Sequence, residues 1–188
     1  MTRIISGSAR GRSLRVPEQG TRPTSDRVRE AVFSSLEHRL GSWRGLCVYD
    51  LYAGSGAFAL EALSRGAGQA VAVEHDKRTV EIIRANAAAV GLPLAVVMLD
   101  VARFVARPPA PIPDVVFVDP PYEMPAANLA RQLGTLLAQL PEHELLLVVE
   151  RSARDRESPL PADLDEIDVR TIGETAITYA RWYGYRHD

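Results

Sequence analysis

The chain has 188 residues, 22 basic and 24 acidic, for a net charge of −2, with 46% hydrophobic and 6% aromatic residues. This is enough for one packed domain and a small appendage, and the near-neutral balance argues against a strongly electrostatic nucleic-acid binder. One cysteine, Cys47, excludes an internal disulfide framework, no apolar run approaches a membrane span, Met1-Thr2-Arg3 opens no signal peptide, and His38, His75, His143 and His187 show no metal-ligand spacing, so a cytoplasmic protein without a metal is expected.

Arg3-Ile4-Ile5-Ser6-Gly7 and Arg12-Ser13-Leu14-Arg15-Val16 read as two short strands around the turn Ser8-Ala9-Arg10-Gly11, a hairpin outside the main sheet. Residues 1–30 hold Arg3, Arg10, Arg12, Arg15, Arg22, Arg27 and Arg29 against Glu18, Asp26 and Glu30. A basic arm on a neutral domain suits RNA phosphates; a solvated basic surface is the other reading, and Lys77, the only lysine, makes arginine the chain's general-purpose cation. Gly20 to Thr24 reads as a loop, and Thr24 or Ser25 caps a helix running to about Leu40, with Val28, Val32, Phe33, Leu36 and Leu40 on its apolar face.

Strands and helices then alternate. Leu46 to Tyr49 reads as a strand ending in Asp50, followed by Leu51-Tyr52-Ala53-Gly54-Ser55-Gly56 and a helix from Ala57 to Arg65. A glycine-rich strand-to-helix turn lets backbone approach a ligand and aims free N–H groups at it. Gly54, Gly56 and Ala59 also fit the dinucleotide fingerprint. Asp50 tilts the reading toward a ligand with a cationic amino group, such as S-adenosylmethionine, because a carboxylate there repels a pyrophosphate. A branched side chain at Gly56 is expected to intrude on the ligand and abolish binding without loss of fold.

Ala70 to Val73 is the second strand, ending in Glu74-His75-Asp76. Glu74 lies about 20 residues past the glycine turn, where an acidic residue accepts from ribose hydroxyls; a solvated acidic loop is the plainer alternative, and His75 reads as a bystander to the chemistry. A helix runs from about Lys77 to Val90 and stops near Gly91-Leu92-Pro93. The third strand, Leu94 to Leu99, ends in Asp100, which can accept from an adenine amine, cap the next short helix, or do both. Val115 to Val118 is a buried strand running into Asp119-Pro120-Pro121-Tyr122. There the carboxylate and the carbonyls held by the prolines accept hydrogen bonds, and the ring offers a stacking face, which together describe a pocket for a planar amine. A Pro-Pro turn with no site is the alternative. A helix from about Ala126 to Leu140, a strand from Glu144 to Val149 ending in Glu150, a polar loop from Arg151 to Asp163, and strands at Ile167–Ile172 and Thr175–Tyr185 complete the chain.

Asp-Pro-Pro-Tyr resembles the acceptor signature of methyltransferases that modify exocyclic amines of nucleobases, and Asp50-x-x-x-Gly54-x-Gly56 resembles the first motif of class I methyltransferases. Together with Arg22-Pro23-Thr24-Ser25-Asp26-Arg27-Val28-Arg29-Glu30, the terminal Gly173-Glu174-Thr175 and the Arg-Ile-Ile-x-Gly and Arg-Gly-Arg opening, these motifs resemble the RsmD family over nearly the whole chain. The Ser8-Ala9-Arg10 turn is less basic than the family pattern. The resemblance implies an α/β fold, the class I S-adenosylmethionine-dependent methyltransferase fold: a Rossmann-like seven-stranded sheet with an antiparallel last strand. It also implies a small N-terminal β-hairpin extension at 1–20 and a methyltransferase domain at 21–188.

The implied activity is transfer of methyl from S-adenosylmethionine to the N2 amine of one guanine in 16S rRNA, within the 30S subunit or an assembly intermediate. The resemblance places the chemistry at Asp119, Pro120, Pro121 and Tyr122 and cofactor contacts at Asp50, Tyr52, Ala53, Gly54, Ser55, Gly56, Glu74, His75, Asp100 and Val101. Arg10, Arg12, Arg22 and Arg27 are the expected RNA contacts. The competing functions are a DNA adenine-N6 methyltransferase, an NAD-dependent oxidoreductase, for which no pocket acid or base stands out, and a non-catalytic ribosome-assembly factor, which has no use for an intact acceptor motif.

Overall fold

Runs of valine, leucine and alanine buried on both sides form parallel strands here, and the helices between them supply the cover. The computed structural model describes residues 2–17, 25–162 and 164–184, with backbone alone for 165–167. Its elements, in order, are β1 (Thr2–Arg3), β2 (Ser13–Leu14), α1 (Asp26–Leu40), β3 (Cys47–Leu51), α2 (Ala57–Ser64), β4 (Gln69–Glu74), α3 (Lys77–Val90) and β5 (Ala95–Met98). Then come α4 (Val101–Ala106), β6 (Val115–Val118), α5 (Ala126–Leu137), β7 (Leu145–Ser152), β8 (Asp165–Ile172) and β9 (Thr175–Trp182).

Among the described residues the main sheet has seven strands in the order β5-β4-β3-β6-β7-β9-β8. β3 through β7 run parallel, and β9 inserts antiparallel between β7 and β8, as the motif resemblance implies. Strand alternation sorts the core into two layers. Val115 and Phe117 pack with Val32, Phe33, Phe58 and Ile83 of α1, α2 and α3. Val116 and Val118 pack with Phe104, Leu129, Leu133 and Leu136 of α4 and α5. No helix among the described residues is long and apolar enough to cross a membrane.

The N-terminal hairpin is separate from the main sheet but shorter than its sequence pattern: Thr2 pairs with Leu14 and Arg3 with Ser13, and the cross-strand bonds end at Ile4, which donates to the Arg12 carbonyl and accepts from Gly11 N–H, each at 2.9 Å. The reason is competition for its backbone. Ile5 and Ser6 N–H groups donate to the Glu61 carboxylate of α2 at 2.7 and 3.0 Å, and Ser8 N–H donates to the Ser64 carbonyl at 2.7 Å. A Cβ on Gly7 would lie 1.8 Å from that same carbonyl oxygen, so only glycine lets the turn seat this closely. Ile4, Ala9 and Leu14 pack on Ala57, Leu60 and Ala87.

Ser25 caps α1, accepting from Val28 N–H at 3.2 Å; Thr24 lies outside the described residues. β7 runs on to Ser152, where a loop was expected from Arg151, because Arg151 and Ser152 find partners in Ala176 and Thr175 of β9. The last strand ends at Trp182, short of Tyr185, which lies outside the described residues together with His187.

Candidate active site

The parallel register of β3, β4 and β6 sets Leu51 opposite both Val73 and Val118. The chain therefore leaves all three strands side by side, and the glycine turn, Glu74 and Asp119 emerge along one sheet edge. The turn is held in left-handed backbone at Tyr52 (φ 62°), Gly54 (φ 54°) and Gly56 (φ 75°). Ala53 N–H donates to the Val73 carbonyl at 3.0 Å, and Gly56 N–H to the Ala53 carbonyl at 2.7 Å. The Ser55 carbonyl accepts from the Asn86 amide at 2.9 Å.

Glu74, nearly buried, gathers backbone donors from both sides: Gly54 N–H at 3.3 Å, His75 N–H at 2.8 Å and Asp76 N–H at 3.0 Å. Its carboxylate is thus fixed beside the turn. The His75 ring lies mostly in solvent, with Nδ1 3.0 Å from Glu74 Oε1. Asp100 caps α4, accepting from Arg103 N–H at 3.3 Å, which is one of the two readings of this residue; Val101 is buried as the first residue of that helix.

Asp50 is 2% exposed, and its Oδ2 accepts from Ala59 N–H at 3.0 Å, tying the strand end to the first turn of α2. Burial pushes its carboxyl up to about 8; the Ala59 hydrogen bond opposes the shift, and the charges of Asp119 and Glu74 add to it. Three carboxyl groups therefore share this edge, and a positively charged ligand relieves their mutual repulsion where a pyrophosphate would aggravate it.

The glycines differ in what they spare. A Cβ on Gly54 meets nothing nearer than the Tyr52 carbonyl oxygen at 4.0 Å, whereas a Cβ on Gly56 meets Ile83 Cγ2 at 3.0 Å and Leu94 Cδ2 at 3.6 Å. The expectation that a branched residue at Gly56 harms binding alone is corrected: its side chain is driven into the core between α3 and the β5 approach.

At the acceptor end, Asp119 is partly buried, Pro120 buried, and Pro121 and Tyr122 exposed, the tyrosine at 53%. Met124 N–H donates to the Pro121 carbonyl at 2.9 Å and closes the turn that carries Tyr122. Three residues passed over in the sequence brace this region. The Tyr52 hydroxyl reaches Gln132 Oε1 on α5 and lies 3.6 Å from Met124 Sδ. Arg151 donates through Nη2 to the Met124 carbonyl at 2.9 Å and through Nε to Asp155 at 2.8 Å. Asn86 holds the glycine turn from α3. None carries a motif; Arg151 sits in a stretch that looks like polar loop. Burial pushes the Tyr52 phenol up to about 12, with the charge of Asp100 adding to it, so the hydroxyl stays a donor.

The expected RNA contacts fare unevenly. Arg10 and Arg27 are exposed. Arg12 is exposed but donates to the Ala89 carbonyl at 2.6 Å, in the last turn of α3. Arg22 lies outside the described residues. Arg29, counted above in the basic arm, is 1% exposed and bonded to Thr2, the Arg3 carbonyl and Asp26, so it anchors the N-terminus and adds no charge to the surface.

A family model described as Conserved hypothetical protein 95 matches residues 2–181. Ribosomal RNA small subunit methyltransferase D of Escherichia coli is 36% identical over 180 residues, 93% of this chain and 86% of that protein. The solved structure of yhhF from Escherichia coli superposes with a TM-score of 0.82 at 33% identity, covering 98% of this chain and 99% of the other. That of a hypothetical protein from Thermus thermophilus has a TM-score of 0.77 at 37% identity, covering 95% and 98%.

Proposed function

The chain belongs to the family described as Conserved hypothetical protein 95, and from that premise we propose that it transfers a methyl group from S-adenosylmethionine to the N2 amine of one guanine in 16S rRNA. The relative named ribosomal RNA small subunit methyltransferase D supports rRNA of the small subunit as the substrate class. The observation that carries the reading is one of register. Leu51 pairs with Val118, so the glycine turn and Asp119-Pro120-Pro121-Tyr122 begin side by side, cofactor site against acceptor site.

S-adenosylmethionine, when bound, supplies an electrophilic methyl on a sulfonium. The turn at Tyr52–Gly56 and the Glu74 carboxylate fixed beside it would hold the cofactor, with Glu74 the acceptor for its ribose hydroxyls. The guanine N2 lone pair is delocalised into the ring, so the protein's main contribution is alignment. The Asp119 carboxylate and the Pro120 carbonyl accept from the amine and turn its lone pair toward the methyl. Both oxygens also stabilise positive charge developing on nitrogen, worth on the order of a few kcal/mol. Tyr122, half exposed, provides the face on which the splayed base stacks.

Residues 1–20 are the extension that carries Arg10 and Arg12 as RNA-phosphate contacts, Arg22 and Arg27 complete the proposed set, and residues 21–188 are the catalytic domain. The enzyme acts in the cytoplasm on the 30S subunit or an assembly intermediate. The deciding experiment incubates the protein with labelled S-adenosylmethionine and, separately, naked rRNA, 30S particles and DNA, then identifies the methylated nucleoside. N2-methylguanosine from RNA is the expected product; N6-methyladenine from DNA overturns the proposal.

A further inference from the structure

Tyr52 is the one non-glycine residue with positive φ among the described residues, and it stands in the glycine turn two positions after Asp50. A tyrosine in left-handed backbone persists only where surrounding structure holds it there. Here its hydroxyl bonds to Gln132 Oε1 on α5 and approaches Met124 Sδ. Met124 is the end of the acceptor loop. Its N–H closes onto the Pro121 carbonyl and its own carbonyl is gripped by Arg151. The turn proposed to hold the cofactor is thus tied by one side chain to the loop proposed to hold the target amine.

We propose that Tyr52 is a positioning residue that sets the acceptor loop according to the state of the cofactor turn, through its hydroxyl contacts with Gln132 and Met124. The inference rests on the methyltransferase reading above. A shift of the turn on cofactor binding would move the Tyr52 ring, and with it Met124 and the Pro121 carbonyl it bonds, two residues after Asp119. Phenylalanine keeps the ring and its packing but loses the tie. Leucine at Gln132 removes the other end of the same bond.

The test compares wild type, Tyr52→Phe, Gln132→Leu and the double variant for S-adenosylhomocysteine affinity, thermal midpoint, and single-turnover methylation of the RNA identified in the experiment above. Gln132→Leu is expected to keep S-adenosylhomocysteine affinity within about twofold, and either single variant to lower the single-turnover rate about tenfold at saturating RNA and saturating cofactor. The double variant should be no slower than the slower single, since both remove one interaction. RNA affinity should rise on adding S-adenosylhomocysteine in wild type and not in the variants. Variants that only melt earlier, with wild-type rate and wild-type coupling, overturn the inference, as does a multiplicative rate loss in the double variant. A wild-type protein that methylates no RNA defeats the functional reading instead, so the two failures are distinguishable.

Discussion

Asn86 and Arg15 exchange two hydrogen bonds: Arg15 N–H donates to Asn86 Oδ1 at 2.8 Å, and Asn86 Nδ2 donates to the Arg15 carbonyl at 2.9 Å. The same Nδ2 donates to the Ser55 carbonyl at 2.9 Å. One buried side chain on α3 therefore joins the end of the N-terminal extension to the glycine turn. The extension is part of the domain's packing as well as a carrier of arginines.

Asn86→Ala is expected to lower stability by about 1–3 kcal/mol, because Arg15 N–H and two carbonyls lose their partner out of water. Denaturant unfolding measures the loss. Removing residues 1–16 should cost more, since Glu61 and Ser64 also lose the backbone groups they bond. A truncated protein as stable as wild type would show that the extension is only loosely docked.

Gly54 and Gly56 should respond differently to the same substitution. Gly54→Ala places a methyl on the open side of the turn and should weaken S-adenosylhomocysteine binding at least tenfold, at a stability cost of about 1 kcal/mol for its positive φ. Gly56→Val adds three carbons, the first already against Ile83, and should cost several kcal/mol, with binding lost as a consequence of unfolding. Calorimetry and thermal melts on both variants separate the two effects.

Asp119→Ala is expected to reduce methyl transfer by roughly 10²–10³-fold while leaving S-adenosylhomocysteine affinity near wild type, because it removes an acceptor from the amine and none from the cofactor turn. Wild-type turnover in a single-turnover assay would reduce Asp119 to a structural role.

Asp50 gives a stability signature with a definite sign. Its folded-state pKa is raised, so the folded protein retains a proton that the unfolded chain gives up. The resulting stabilisation is complete below the ordinary carboxylate range and is lost as pH rises through about 8. Asp50→Asn keeps an oxygen for Ala59 N–H and removes the titration. Relative to wild type, the asparagine variant should gain stability steadily between about pH 5 and pH 8; parallel curves would mean that Asp50 is ionised throughout.

Arg10 and Arg27 are exposed and test RNA contact cleanly. The double alanine variant should melt like wild type, bind RNA more weakly, and lower the magnitude of the salt slope by roughly one unit per lost phosphate contact. An unchanged slope would assign these arginines to solvent.

The sequence carried the frame well where periodicity and chemistry agreed. Lys77 to Val90 and Val115 to Val118 have the bounds that their apolar pattern and flanking Asp76, Gly91 and Asp119 suggest. The antiparallel last strand came from family resemblance, since local pattern does not encode strand order. The braces were invisible for a related reason. Asn86, Gln132 and Arg151 are ordinary polar residues whose partners lie 31, 80 and 27 positions away. The buried guanidinium of Arg29 looked like surface charge because nothing local announces that Thr2, Arg3 and Asp26 will close around it.

The insertion of β9 between β7 and β8 bears on how the sheet is assembled during synthesis. β8 touches the sheet only through β9, yet is translated before it. While residues 175–182 are still inside the ribosome, β7 has an unpaired edge that opens with three leucines and two valines, Leu145 to Val149, and β8 has no place to go. The parallel half, β3 through β7, can collapse on its helices early, but closure waits for the last strand to emerge. Contacts of this separation are slow to form and leave an adhesive edge exposed meanwhile. Nascent chains arrested before Thr175 should therefore be the aggregation-prone and protease-sensitive species of this protein.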